Sequence, residues 1–268
     1  MTDQPERPAP VYPTALGVST VEAITLFGRD LSGELIGKVG FAELAFEIIQ
    51  LRKPTTEEAR VFEAVLVSLA DHGFTPTAIA ARLTYLSAPD SIQGALASGL
   101  LGGGSRFLGV SEDTAAFLAE TLAGLESVPG DDAGWDDVAA TAVRERRATG
   151  GVVPGLGHHI HKQGDPRTPV LLQVARDAGC YGDHLRLFEA VGRIAPTALG
   201  RNLPLNGAGA CGAILADLGF PVGIIRGVVL LARCAGLLGQ LAEEMRRPIA
   251  REIFEDVERH AVYRPLDD

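Results

Sequence analysis

The sequence predicts an all-α protein. Apolar residues recur at helical spacing through most segments between Gly-, Pro- and Asn-rich breaks. Thr55-Thr56-Glu57-Glu58 is a capping box that opens one such run. Strand signals are weak and confined to the N-terminal part of the chain.

Val11 to Ser19 and Glu22 to Gly28 read as short extended pieces. Ala42 to Leu51 is an apolar helix stopped near Pro54, since proline lacks the N–H that would continue it. After the capping box, Val61, Phe62, Val65, Leu66 and Leu69 form one face. Ser91 to Leu101 carries Ala95, Ala97 and Gly99, which predicts a helix packed closely on its neighbours. Ser111 to Leu125 opens with Ser-Glu-Asp-Thr, a helix start, and stops before Pro129-Gly130. Trp135 to Ala148 is amphipathic, with Arg144, Arg146 and Arg147 near its end, where cations suit the helix dipole. Pro169 to Ala178 and His184 to Ile194 are further helices. Gly223 to Leu241 is nearly all apolar, as expected of a helix buried in a core or an interface. Seams fall at 104–110 and 200–206. The sequence shows no internal repeat.

The 268 residues suffice for one large domain, or a large and a small one. A net charge of -10 argues against nucleic acid as a main partner, because phosphate backbones need a basic face. Cys180, Cys211 and Cys234 lack metal-ligand spacing, and an odd count makes a poor disulfide framework. They are expected to be buried small apolar residues in a reducing compartment. Met1 to Pro13 lacks the basic start and apolar run of a secretory signal. No uninterrupted apolar run is long enough for a bilayer, so no membrane association is expected and a cytoplasmic location follows.

Three of the six histidines lie at 158, 159 and 161, behind Gly155 and Gly157 and ahead of Lys162 and Arg167. A glycine turn with exposed N–H groups, Lys and Arg can hold phosphate or carboxylate. Histidine beside it can bond a carbonyl or move a proton. The bland alternative is a glycine-rich surface loop with incidental histidines.

Gly155-Leu156-Gly157-His158, followed by Asp165-Pro166-Arg167, resembles the histidine loop of the citrate synthase superfamily. Glu34-Leu35-Ile36-Gly37-Lys38-Val39-Gly40-Phe41, Ala70-Asp71-His72-Gly73, and Ser98-Gly99-Leu100-Leu101 with Ser105-Arg106-Phe107 are similar to the citryl-CoA lyase branch and the lyase domain of ATP-citrate lyase. The resemblance implies a citrate synthase-like fold with its active site in a cleft. Residues 1–109 and 206–268 would form the large helical domain and 110–205 the small one. It implies a homodimer, or a multiple of dimers, with an arginine reaching across. A coenzyme A thioester would be the substrate, with a di- or tricarboxylate, and no metal or redox cofactor is implied. CoA would lie along the 152–162 loop, touching Val153, Gly155, Leu156, Gly157, His159, His161 and Lys162, with adenine held mainly by backbone groups.

Carried over residue by residue, His158 contacts the substrate carbonyl or tertiary hydroxyl. His72 binds a carboxylate or hydroxyl of the citrate moiety; its alternative is a helix-end histidine bonded to a backbone carbonyl. Arg167 holds a carboxylate bidentately, or else forms a helix-start salt bridge with Asp165. Arg233 stands alone in an apolar helix, where a structural partner or a carboxylate ligand must neutralise it. Arg247, or its neighbour Arg246, reaches the other subunit, unless the two are a solvated pair. His159 stands where the family most often has proline.

Two departures stand against the matches. Gly104-Ser105-Arg106 occupies the place of an enolate-stabilising histidine, which the lyase branch also lacks. Ala208, in Asn206-Gly207-Ala208, occupies the place of the aspartate base. Losing a positioned acid/base group typically costs about 10²–10⁴-fold in rate. Three readings follow. The first is a CoA-ester lyase cleaving citryl-CoA, or a close 3-hydroxy-acyl-CoA, to acetyl-CoA and a 2-oxo acid such as oxaloacetate. In it His158 helps take the hydroxyl proton. The second is a citrate synthase-like enzyme for a different acyl-CoA or 2-oxo acid with a non-aspartate base. The third is a non-catalytic CoA- or citrate-binding homologue.

Overall fold

A computed structural model describes residues 11–158 and 161–266. The chain forms two compact units divided between Ala59 and Arg60. In the first, β1 (Gly17–Ser19), β2 (Ile24–Leu26) and β3 (Arg29–Asp30) make an antiparallel sheet in that order. Leu26 pairs with Arg29, so Phe27-Gly28 is a two-residue hairpin turn. Both turn residues have positive φ, 53° and 73°, as a turn matching the twist of its strands requires. A single π turn, Leu31–Leu35, leads to α1 (Phe41–Gln50). Beyond α1, Arg52 bonds both Glu58 oxygens, at 2.8 and 2.7 Å, and lies 4.9 Å over the Phe46 ring.

α2 (Thr56–Leu69) spans the division. Its capping box forms as the sequence predicts. Glu58 N donates to Thr55 Oγ1 at 3.1 Å, and Thr55 N donates to Glu58 Oε2 at 2.8 Å.

The second unit continues with α3 (Pro76–Ser87), α4 (Ile92–Leu101), α5 (Val110–Ala123), α6 (Asp132–Ala148), α7 (Arg167–Asp177), α8 (Asp183–Leu199), α9 (Gly207–Asp217), α10 (Val222–Arg246) and α11 (Ala250–Arg259). α3 packs on α4, α6 on α8 and α5 on α9, while α10 touches α3, α4, α5 and α9. By length and composition α10 could cross a bilayer. One face of it packs against other helices of the unit. Ala78, Ala81 and Ala95 pack on its Leu237 and Leu241. At Gly99 a Cβ would come within 2.9 Å of Leu237, so the small residues of α4 do permit a close crossing.

A buried polar seam fixes α3, α10 and α11. Arg82 is fully buried and donates to Gln240 at 3.0 and 2.7 Å and to Glu244 at 2.8 Å. Glu244 in turn accepts the backbone N–H groups of Ile249 and Ala250, at 3.0 and 2.9 Å, capping α11. Breaking a buried charged pair by removing one partner costs about 3–5 kcal/mol. The stability of these helices therefore depends on Arg82.

Several expectations are corrected. α5 starts at Val110, with Ser111 inside it; the Ser111 hydroxyl bonds the Ala208 carbonyl at 2.7 Å instead of capping. α8 runs through Pro196 to Leu199 and stops at Gly200, whose φ of 64° suits a helix C-cap. α10 continues past Leu241 to Arg246. α3, α9 and α11 are additional helices. Cys211 is buried, as expected, but Cys180 and Cys234 are partly exposed.

Candidate active site

The histidine loop is held by the strand-like segment before α9. Leu156 bridges Leu205, flanked by Gly157 N donating to Pro204 O at 2.7 Å and Asn206 N donating to Gly155 O at 2.9 Å. Asn206 Nδ2 adds a bond to Gly157 O at 2.8 Å. Gly155 has φ 79°, and a Cβ there would meet Phe188 at 2.8 Å, so both dihedral and space demand glycine. These bonds anchor the loop and engage the Gly157 N–H, while the Gly155 and Gly157 carbonyls each keep a second lone pair. In this bridge pattern the Leu156 N–H and C=O point the other way.

His72 follows Asp71 in the turn between α2 and α3. Asp71 accepts Gly73 N at 3.0 Å and Gln240 Nε2 at 3.1 Å, which ties the turn to α10. Burial raises the Asp71 carboxyl, but those bonds and the Arg233 charge hold it below its ordinary value.

One cavity of about 620 Å³ gathers the predicted groups. His72, His158, Arg167, Arg233 and Ala208 all line it, with Val153, Gly155, Leu156 and Gly157. His72 and His158 face each other with ring centroids 5.2 Å apart, and His161 lies 4.6 Å from His158. His161 N donates to His158 Nδ1 at 3.1 Å. Nδ1 is therefore an acceptor, and the neutral ring carries its proton on Nε2.

Arg167 opens α7, and its predicted alternative partner is present. Its Nε and Nη2 bond Asp165 at 3.0 and 2.8 Å, and Nη1 bonds Ser68 O at 3.1 Å. Three of the five guanidinium hydrogens are thus engaged, leaving two for a ligand at its far end. The Nε edge cannot grip a substrate carboxylate. Asp165 is 2% exposed and also accepts Gly207 N at 2.8 Å. Burial opposes its charge, yet Arg167 and the N–H donors hold its carboxyl far below the usual range.

Arg233 is 4% exposed, and its buried Nε has no hydrogen-bond partner among the described residues. Burial pushes this guanidinium below its ordinary value; Asp71 works against that, and the like charge of Arg167 adds to it. The arrangement leaves a desolvated cation on the cavity wall.

Sequence reasoning gave Arg146 only a place at a helix end, yet it also lines the cavity and donates to Val152 O at 3.2 Å. Its position in the last turn of α6, six residues before the loop, was the available signal. Arg106 and Asn206 line the cavity too. Lys162 lies on an adjoining depression with His158 and Asn202, and Arg147 and Arg201 on another with Val153 and Leu156. Arg247 is exposed at the end of α10, off the cavity wall, and His159 lies outside the described residues. Cys211, beside Ser68, has its thiol pushed up to about 11 by burial, which removes it as a nucleophile at neutral pH.

A helical bundle with an imidazole and guanidinium cavity behind a glycine-histidine loop defines the class. Residues 29–260 match the citrate synthase C-terminal domain family, and the chain belongs to it. The solved citryl-CoA lyase from Hydrogenobacter thermophilus is 30% identical, with a TM-score of 0.82 over 97% of this chain and 96% of that one. An ATP citrate lyase from Methanothrix soehngenii, solved with citrate and coenzyme A, shares the fold at 23% identity, with a TM-score of 0.74 over 98% of this chain and 43% of that one. A citrate synthase from Deinococcus radiodurans is 26% identical over 71% of this chain and 48% of its own length. The chain thus spans about half of that relative or less.

Proposed function

We propose that this protein cleaves citryl-CoA, or a close 3-hydroxy-acyl-CoA, to acetyl-CoA and a 2-oxo acid such as oxaloacetate. The observation that carries this reading is Arg233, buried with an Nε that has no partner among the described residues, on a cavity wall shared with Arg167, His72 and His158. A desolvated cation near a second cation calls for an anion, and a carboxylate of a multiply charged acid supplies one. The names of the similar lyases support the same substrate class.

In the reaction, the bond between the thioester α-carbon and the hydroxyl-bearing carbon breaks. Its electron pair passes into the thioester as an enolate, the hydroxyl loses its proton, and a ketone forms. His158, protonated on Nε2, donates to the reacting oxygen and so does not itself accept the departing proton. That role goes to His72, the facing ring. The enolate carbon then takes a proton from solvent, because Ala208 offers only a methyl group. Arg167 and Arg233 hold carboxylates. Arg106, Arg146, Arg147, Arg201 and Lys162 suit the phosphates of CoA, and Val153, Leu156 and His161 its remaining length. Arg247, exposed and clear of this cavity, is assigned to the second subunit of a dimer.

Purified protein given citryl-CoA, malyl-CoA and citramalyl-CoA, with thioester loss and keto-acid release followed, tests the reading. Citryl-CoA turnover that disappears in His158→Ala supports it. Ala208 favours two other outcomes. Turnover of only another ester shifts the substrate, and saturable CoA binding without any turnover makes the protein a binder and overturns the lyase.

A further inference from the structure

We propose that His72, His158 and His161 form a three-imidazole site for a divalent d-block cation of the Zn²⁺ or Co²⁺ type. The sequence spacing of these residues matches no metal motif, since the first two lie 86 positions apart. The fold brings them together. One ligating nitrogen from each lies within 4.8 Å of the other two, and all three side chains are partly buried. The rings of His72 and His161 are 6.4 Å apart, with His158 nearer to both.

Zn²⁺ bound by imidazole has Zn–N distances of about 2.0–2.1 Å, so tetrahedral ligand atoms sit about 3.3 Å apart. The ligand atoms already lie within 4.8 Å of one another, so each pair needs to close by no more than about 1.5 Å to reach that spacing. Histidine nitrogens suit Zn²⁺ and Co²⁺ and discriminate against the oxygen-seeking Mg²⁺ and Ca²⁺. His158 Nδ1 is the unprotonated nitrogen of the neutral ring and therefore the ligand; the ion takes the place of the His161 N–H on it, and Nε2 keeps its proton. The fourth position is open, as in catalytic zinc sites, and lies beside the cavity that Arg167 and Arg233 line. An anion there would complete the coordination.

Titration calorimetry with ZnCl₂ and visible absorption with CoCl₂ test the site in the full chain. The expected result is one ion per chain, tetrahedral Co²⁺ bands bleached by Zn²⁺, and affinity weakened about tenfold or more in His72→Ala and in His161→Ala. His260→Ala, at an exposed histidine on the C-terminal side of α11, is the control. Unchanged affinity in His161→Ala, an equal loss in His260→Ala, or no saturable binding up to about 100 µM overturns the proposal. Thermal melts confirm that each variant folds, and His161→Asn replaces the alanine variant if it does not. Zn²⁺ should also suppress acyl-CoA cleavage; that arm alone rests on the proposed function, while ion binding does not.

Discussion

Arg233 separates a role in stability from a role in binding. Its cation is buried without full pairing, so Arg233→Met removes a desolvation penalty and adds apolar contact. The expected result is a melting temperature equal to or above that of the parent, with kcat/KM for the acyl-CoA lowered about 100-fold or more. A large drop in stability with normal kcat/KM would make Arg233 structural. Asp165 should behave in the opposite way. It neutralises Arg167 and caps the start of α9, so Asp165→Asn should cost about 3 kcal/mol at pH 7 in denaturant unfolding. Its folded carboxyl lies below the unfolded one, so this stabilisation is full above the unfolded value of about 4 and is lost as pH falls beneath it. The gap between parent and variant should therefore narrow from pH 6 to pH 3; a constant gap would exclude a charge effect. Ala208→Asp should place a carboxylate on the cavity wall and raise exchange of acetyl-CoA methyl protons with solvent, followed by NMR. Unchanged exchange would show that this position is not the one facing the methyl group.

At the scale of elements, backbone contact explains both what the sequence revealed and what it concealed. The capping box at Thr55 and the apolar face of α2 were legible because each is a local pattern. α9 was not, since Gly-Ala-Gly-Ala-Cys-Gly has poor helix propensity and reads as a loop. Tertiary contact overrides that preference: a Cβ at Gly212 would lie 2.1 Å from Ser111 O, so only a helix stripped of side chains reaches α5. α10 meets the His72 turn in the same manner, with a Cβ at Gly236 falling 1.9 Å from Ala70 O. Gly236→Ala should push that turn away, lowering stability by about 1–3 kcal/mol and turnover along with it. Gly239, on the same helix, has open space around its missing Cβ. Gly239→Ala should leave turnover unchanged and stabilise by up to about 1 kcal/mol through helix propensity. Equal melting shifts for the two variants would show that the contact at Gly236 is not what limits packing.

For the molecule as a whole, local motifs indicated the members of the site, but its long-range pairings came only from the fold. His158, Arg167 and Arg233 were legible from a loop, a tripeptide and a lone charge in an apolar helix. The stacking of His72 on His158 joins residues 86 positions apart, and the place of Arg146 on the wall likewise depends on the folded chain, beyond the reach of any local pattern, whereas the Asp165 bonds to Arg167, two residues away, were among the sequence's own alternatives. Charge distribution has the same character. The chain carries a net charge of -10, yet Arg106 and Arg146 line the cavity while Arg147, Arg201 and Lys162 line the depressions beside it. An anionic ligand is repelled by the average field and drawn by the local one, and salt screens both. If CoA phosphates lie on this cluster, the local attraction dominates at contact distance. CoA affinity should then weaken about three- to tenfold between about 0.05 and 0.5 M NaCl, and the slope should flatten in Arg146→Gln. Calorimetry across that series decides the matter: affinity that rises with salt would mean that overall repulsion governs, and that the phosphates bind away from these residues.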